Sequence, residues 1–255
     1  MTTQGGAVQI SARVLEVRHY GRATQLWLAC PIVATRTEPG QFVMVAVPAP
    51  GFHLRRPLSV HRVRGDRISL LVEARGEGTR AIGEVAVGDA VSMNGPLGTA
   101  FPLAGVARAV LVGGGIGAAP LQSVAEALAA RGAAVSAVFG FRDARHARIL
   151  YAFELPDVSV ATEDGSVGVR GTVLDALRHA PITSDTVLYA CGPLGMLAAL
   201  QRWAAEHAVA GYASLEAHMA CGTGVCHGCV VPTTRGYARV CADGPVFALS
   251  ELVFP

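Results

Sequence analysis

Four of the six cysteines lie within 21 residues, as Cys221-x4-Cys226-x2-Cys229 and then, after eleven residues, Cys241. This is the plant-type spacing for a [2Fe–2S] cluster. Four thiolates must converge on two irons from one wrapping loop, so small residues are expected between them. Gly222, Thr223, Gly224 and Gly228 supply these, and their amides can point at the sulfurs. A four-cysteine zinc site and a set of buried free thiols are the competing readings; zinc ribbons favour two separate C-x2-C knuckles. His227 is read as an exposed loop residue, because four cysteines already suffice. Cys30 stands in no motif and is assigned to the core.

A second constellation is Gly113-Gly114-Gly115-Ile116-Gly117-Ala118-Ala119-Pro120, between a strand pattern and a helix pattern. Backbone without side chains can approach a pyrophosphate closely, and a helix N-terminus favours the anion. A purely structural turn is the alternative. No acid closes the following strand; Phe139-Gly140-Phe141-Arg142 stands there, so the usual dinucleotide fingerprint is incomplete. Three shorter motifs join these. Arg55-Arg56-Pro57-Leu58-Ser59-Val60 is an anion candidate or an edge strand with surface arginines. Gly76-Glu77-Gly78-Thr79 is a candidate phosphate turn. Cys191-Gly192-Pro193 ends a parallel strand, where open α/β sheets bind ligands, with a buried structural cysteine as the alternative.

Composition narrows the chemistry. All 21 basic residues are arginine. Without lysine there is no Walker A loop, no pyridoxal Schiff base and no kinase strand lysine. A net charge of +2 gives no reason to expect nucleic acid. With 51% hydrophobic and 16% charged residues, the 255-residue chain can build one large or two ordinary cores. Met1–Ile10 has no basic-then-apolar signal, and the apolar stretch from Ala109 to Ala130 is broken by glycines, Pro120, Gln122 and Glu126. The expectation is a soluble, cytoplasmic protein with no membrane association.

The elements that must position these residues fall into two patterns. Short β-rich segments recur at Val8–Val17, Gln25–Ala29, Phe42–Val47, Leu58–Arg62, Arg67–Ala74 and Ala90–Met93, with a short helix at Thr79–Gly83. They predict a small antiparallel barrel or sandwich. From Arg108 strands alternate with helices: strands at Ala109–Val112, Val135–Phe139, Val158–Ala161 and Thr186–Tyr189, helices at Ala118–Arg131, Val173–His179 and Leu194–His207. That alternation implies a parallel sheet. The predicted units are residues 1–104, 105–216 and 217–255: barrel, α/β domain and cluster segment.

A barrel with R-x-x-S and G-x-G-T, then a nucleotide domain with GGG-x-G-x-x-P and CGP, resembles the ferredoxin–NADP reductase superfamily. With the cysteine loop last, the whole chain resembles the electron-transfer subunits of NAD-linked dihydroorotate dehydrogenase. Ala161-Thr162-Glu163-Asp164-Gly165-Ser166 with Gly168 and Gly171, and Asp243-Gly244-Pro245-Val246-Phe247, are part of that likeness. The resemblance implies an antiparallel FAD-binding β-barrel, a parallel-sheet NAD-binding α/β domain and a C-terminal [2Fe–2S] segment. It places Arg56, Pro57, Leu58 and Ser59 on FAD, Arg56 at the pyrophosphate and Ser59 near the reactive edge of the flavin. Leu71, Val72, Glu73, Gly78 and Thr79 would hold the rest. Relatives often carry a basic residue where Glu73 stands, and an acid cannot pair with phosphate. Gly113, Gly114, Gly115, Gly117 and Pro120, with Cys191, Gly192 and Pro193, would bind NAD; Ser59 and Cys191 are the candidate catalytic residues. Cys221, Cys226, Cys229 and Cys241 would ligate the cluster.

The implied activity carries electrons from the FMN of a catalytic subunit through [2Fe–2S] and FAD to NAD⁺ in pyrimidine biosynthesis, in a two-plus-two heterotetramer. The length leaves no room for the (β/α)8 barrel of about 250 residues that would oxidise dihydroorotate, so that chemistry is expected on another chain. Two rivals share parts of this pattern. A diaphorase-type subunit of a hydrogenase or of an NAD(P)H:ferredoxin oxidoreductase complex would keep every cofactor motif, with Arg142 and Arg145 as candidate contacts to a 2′-phosphate. A redox-sensing regulator would keep the cluster alone.

Overall fold

The computed structural model describes residues 6–254; the reading of Met1–Ile10 as free of a leader falls partly on residues 1–5, outside the described residues. The first unit runs β1 (Val8–Tyr20), β2 (Ala23–Ala29), α1 (Pro31–Arg36), β3 (Phe42–Val45), β4 (Arg56–Arg64), β5 (Arg67–Glu73), α2 (Glu77–Gly83) and β6 (Ala90–Leu97). The six strands close into an antiparallel barrel in the order β1-β2-β5-β4-β3-β6. Strand alternation fills it: on β6, Val91 and Met93 point inward while their neighbours face out, and Leu97 at the end of the strand is buried against the second unit. Gly65, at φ +59°, makes the tight turn from β4 into β5. Cys30 is buried at the start of α1, as its lack of a motif implied. Helix α1 escapes the sequence pattern because it is a single short turn rich in β-branched residues, started by Pro31 in the first-turn position that proline tolerates.

The second unit follows as β7 (Arg108–Gly114), α3 (Leu121–Ala129), β8 (Ala134–Phe141), α4 (Ala144–Ala147), β9 (Val158–Thr162), β10 (Val169–Arg170), α5 (Val173–Leu177), β11 (Thr186–Cys191), α6 (Leu194–Glu206) and β12 (Ala210–Ser214). A small hairpin, β13 (Val230–Thr233) and β14 (Gly236–Arg239), precedes β15 (Val246–Ala248). The large sheet has the order β10-β9-β8-β7-β11-β12-β15, parallel except where β15 runs against β12. Strand β7 is apolar on both faces, Ala109 to Val112 being fully buried, as a central parallel strand between helices must be. The chain winds outward from β7 through β8, β9 and β10, then crosses to β11 on the other side, which makes β7 and β11 the switch point of the sheet. Helix α3 is shorter than its periodicity predicts. The glycine turn coils as a tight 3₁₀ turn over Gly115–Ala118, and the helix begins only at Leu121.

The segment after β12 is not a free appendage. Pro245 O accepts from Leu215 N, and β15 becomes the edge strand of the large sheet. Among the described residues no helix is long and apolar enough to cross a membrane.

Candidate redox and nucleotide sites

Two of the predicted motifs meet on the barrel. A β-carbon on Gly78 would stand 2.8 Å from Arg56 Nη2, so glycine is what lets the guanidinium lie against the first turn of α2. Arg55 is spent on the barrel, donating to Ser92 O and Ser92 Oγ at 3.0 Å each. Arg56 donates to Leu54 O at 2.7 Å and lies over the Phe52 ring. Thr79 Oγ1 accepts from the amides of Arg75 and Gly76 at 3.0 and 3.1 Å, holding the turn shut. The remaining first-turn amides have no helical acceptor, so with Arg56 they form a cradle that could hold a pyrophosphate. Pro57, Leu58 and Ser59 follow on β4, half-buried. Val72 points into the barrel core and can offer a ligand only its backbone, whereas Leu71 is buried against the α/β unit. Glu73 faces away from the Arg56 cradle: its carboxylate pairs with Arg75 at 2.8 Å and with Arg22 at 4.0 Å.

The second site lies at the switch point. Register places Cys191 beside Gly113, so the glycine turn and Cys191-Gly192-Pro193 leave the sheet side by side. A β-carbon on Gly117 would fall 2.6 Å from Gly192 Cα, and one on Gly114 would fall 2.7 Å from Pro193 and Met196. Gly115 adopts φ +55° with open space before it. Gly114 and Gly115 wall a cavity of about 680 Å³ with Pro193, Met196, Thr172 and Phe141, flanked on the barrel side by Glu73 and Arg75, while Gly113 and Gly117 lie behind it. That is room for a dinucleotide moiety, open to both domains. Arg142 and Glu163 both reach the cavity, whereas Arg145 does not line it; an acid and a base thus share the place where the sequence offered two arginines. Pro120 is buried behind the turn, before α3. Cys191 is 2% exposed, does not line the cavity, and burial pushes its thiol far up, so it stays protonated beneath the turn. Met196 and Thr172 carried no motif, and Glu163 stood in a segment of the family likeness with no role; they reach the site because α6 and α5 begin, and β9 ends, beside the turn.

The third site is the cysteine loop. Every one of its four sulfurs accepts a backbone amide: Cys221 from Thr223 at 3.4 Å and Cys226 at 3.5 Å, Cys226 from Gly228 at 3.5 Å, Cys229 from Cys241 at 3.4 Å, and Cys241 from Gly224 at 3.1 Å. Such donors suit thiolates bound to metal. Among the described residues no three metal-binding side chains gather round one point. The sulfurs associate instead as Cys221 with Cys226 and Cys229 with Cys241. Four thiols on one loop, each with an amide donor, are what a [2Fe–2S] cluster would take. Burial pushes the Cys221 thiol up, but the Cys226 and Thr223 amides outweigh it and bring it down to about 5. His227 is exposed as expected, in the left-handed region at φ +56°. Gly222 seats the loop on the barrel, where a β-carbon would meet Met44 of β3 at 2.5 Å. Arg239, which carried no signal in the sequence, donates to Gly224 O at 3.1 Å and binds the Asp243 carboxylate through two bonds of 2.9 Å.

A flavin-type barrel cradle, a nucleotide turn and a four-cysteine loop in one body define a reductase-class electron carrier. A solved NADH-dependent reduced ferredoxin-NADP oxidoreductase, studied for flavin-based electron bifurcation, shares this architecture. It superposes with a TM-score of 0.83 at 27% identity, over 96% of this chain and 90% of its own. The iron-sulfur cluster binding domain of dihydroorotate dehydrogenase B matches residues 216–253. The dihydroorotate dehydrogenase B (NAD(+)) electron transfer subunit of Geobacillus thermodenitrificans (strain NG80-2) is 41% identical over 96% of both chains. That of Bacillus cereus (strain Q1) is also 41% identical, over 90% of this chain and 92% of its own. The chain belongs to the family of dihydroorotate dehydrogenase B (NAD(+)) electron transfer subunits.

Proposed function

We propose that this chain passes the electrons of dihydroorotate, delivered by an FMN-containing catalytic subunit, through a [2Fe–2S] cluster and FAD to NAD⁺, in the pyrimidine pathway. The observation that carries the reading is the seating of the cysteine loop on the barrel through Gly222 and Met44, while the glycine turn opens from the other unit toward the barrel's Glu73 and Arg75. The barrel therefore lies between the one-electron and two-electron sites. Bound there, a flavin would exchange single electrons on one side and a hydride on the other.

The residues divide the work. Arg56, Gly78 and Thr79 hold the FAD pyrophosphate; Pro57, Leu58, Leu71 and the backbone of Val72 line the flavin, and Ser59 donates to its reactive edge. Glu73, turned from the cradle toward Arg22 and Arg75, flanks the nucleotide cavity instead of binding phosphate. Gly113, Gly114, Gly115, Gly117 and Pro120 seat the NAD pyrophosphate, with Gly192, Pro193 and the buried Cys191 behind the nicotinamide. Cys221, Cys226, Cys229 and Cys241 hold the irons. The working units are residues 1–104, 105–216 and 217–255, the last contributing β15 to the second sheet. The partner docks on the exposed cluster rim, where Val225 is 79% and Tyr237 84% exposed. The complex is a two-plus-two heterotetramer in the cytoplasm, a setting that suits six free cysteines.

Co-expression with the catalytic subunit tests this. The expected result is a complex containing FMN, FAD and iron that reduces NAD⁺ with dihydroorotate. A chain that purifies without flavin, or that pairs only with a hydrogenase, overturns it.

A further inference from the structure

Strand β4 serves both domains. Its first half carries Arg56 to Ser59, and its second half leaves the barrel's pairing pattern. Val60 pairs with Leu70 and Arg62 with Ser69, so His61 is the extra residue of a β-bulge. Bulges re-aim side chains, and this one sends His61 into the α/β unit. The ring is fully buried, with Nδ1 2.8 Å from Ala119 O and Nε2 3.1 Å from Ala152 O. It stands edge-on to Phe153 at 5.0 Å, and Phe153 packs on Phe139 of β8. Ala119 belongs to the glycine turn itself, between Gly117 and Pro120. Arg62 widens the joint, its side chain 7% exposed and paired with Glu126 of α3 and with Glu154. Gln122 ties the same two acids, donating to Glu126 Oε1 at 3.0 Å and accepting from Glu154 N at 3.0 Å.

Ser59 and His61 are two residues apart on one strand, about 7 Å along it. The same strand thus bears the hydroxyl at the proposed flavin edge and the imidazole that grips the nucleotide turn. We infer that His61 is a positioning residue, fixing the glycine turn relative to the flavin so that nicotinamide meets it at hydride-transfer distance. This rests on the proposed assignment of FAD to the barrel and NAD to the cavity. Hydride transfer requires reacting atoms about 3–3.5 Å apart, and a 1 Å displacement costs on the order of 100-fold in rate. The chain between β6 and β7 has no regular structure, and the contacts of His61 across the joint act beside that chain's backbone bonds to Gly244 and Pro39 in setting the spacing.

The test uses the full chain in complex with its catalytic partner and compares His61→Leu, which keeps bulk and removes the ring nitrogens and with them the one N–H that a neutral imidazole can donate, with His61→Asn, whose amide can replace Nδ1 toward Ala119. Stopped-flow reduction of FAD by NADH gives the hydride step; calorimetry with ADP-ribose gives binding to the turn without nicotinamide; hydrogen exchange of the amides of residues 117–124 gives the mobility of the turn. The expected result for His61→Leu is a 10- to 100-fold slower hydride step, faster exchange in the turn, and ADP-ribose affinity within about 3-fold of the parent. His61→Asn should recover most of the rate and the protection. Glu154→Gln, on the exposed side of the joint, should slow the step several-fold and serves if His61→Leu fails to fold. Unchanged hydride rates in His61→Leu, or in Glu154→Gln should it alone fold, overturn the inference. So does a rate loss that tracks ADP-ribose affinity or is equal in the Leu and Asn variants. A parent complex that lacks FAD, or whose FAD ignores NADH, instead overturns the proposed function.

Discussion

Gly117 and Gly192 touch backbone to backbone: a β-carbon on the first would lie 2.6 Å from the Cα of the second. The contact locks the nucleotide turn to the end of β11, and nothing there is the flexible end of a side chain that could give way. Gly117→Ala must push the two strand ends apart, an overpacking cost of about 1–3 kcal/mol. The expected outcome is NADH affinity weakened roughly 10-fold or more, with flavin and iron contents unchanged. Calorimetry and cofactor analysis of the purified variant check it.

Arg56 lies against Gly78 with Arg55 committed to Ser92, so Arg56 is the guanidinium that the cradle presents, with Leu54 O holding one of its nitrogens. Arg56→Ala removes a charge-assisted contact worth about 1.5–3 kcal/mol. FAD affinity should fall by roughly 10- to 100-fold, seen as chains purified with substoichiometric flavin that refill at high FAD. Arg55→Ala should instead lower the melting temperature, because that side chain braces Ser92 of β6.

Of the four proposed ligands Cys241 is the farthest in sequence from the other three, and Arg239 with Asp243 brackets it. Cys241→Ser should lose iron, read by colorimetric assay, while FAD remains bound. NADH should still reduce ferricyanide in that variant, whereas dihydroorotate-driven reduction of NAD⁺ through the complex should stop. Retention of about two irons per chain would show that the cluster does not need this thiolate.

The joint between the domains should weaken in acid by two separable steps. Burial pushes His61 from its ordinary 6.5 down to about 4, against the pull of the Ala119 and Ala152 carbonyls. The unfolded chain therefore takes up a proton below about 6.5 that the folded ring refuses, and this contribution, full above that pH, is lost on descent toward 4. Arg62, with Arg64, holds the Glu154 carboxyl down at about 2, from an ordinary 4.5. Its contribution is full above about 4.5 and is lost between there and 2. Urea unfolding across pH 8 to 3 should show His61→Asn flatter than the parent between 6.5 and 4. Glu154→Gln should be less stable than the parent by a constant amount above about 4.5, and the two should converge below it.

What could be read from residues alone is what depends on neighbours in sequence. The four-cysteine spacing, the glycine turn and the R-x-x-S and G-x-G-T motifs are local, because a loop that wraps irons or a turn that meets phosphate is built from consecutive residues. The recurrence of short β-rich segments and the later alternation of strands with helices likewise announced a barrel or sandwich and a parallel sheet. The tertiary structure decided the rest. It turned Glu73 toward Arg22 and Arg75, buried Cys191 beneath the turn, put β15 on the edge of the second sheet and laid Arg239 across the cysteine loop. His61 shows the reason most plainly. Strict alternation from Val60 would send Arg62 into the barrel, and only the bulge, set by pairing with β5, keeps it with His61 in the domain joint. The partner of His61 lies 58 residues away. A contact of that range has no period and no spacing; it exists only once two domains have packed.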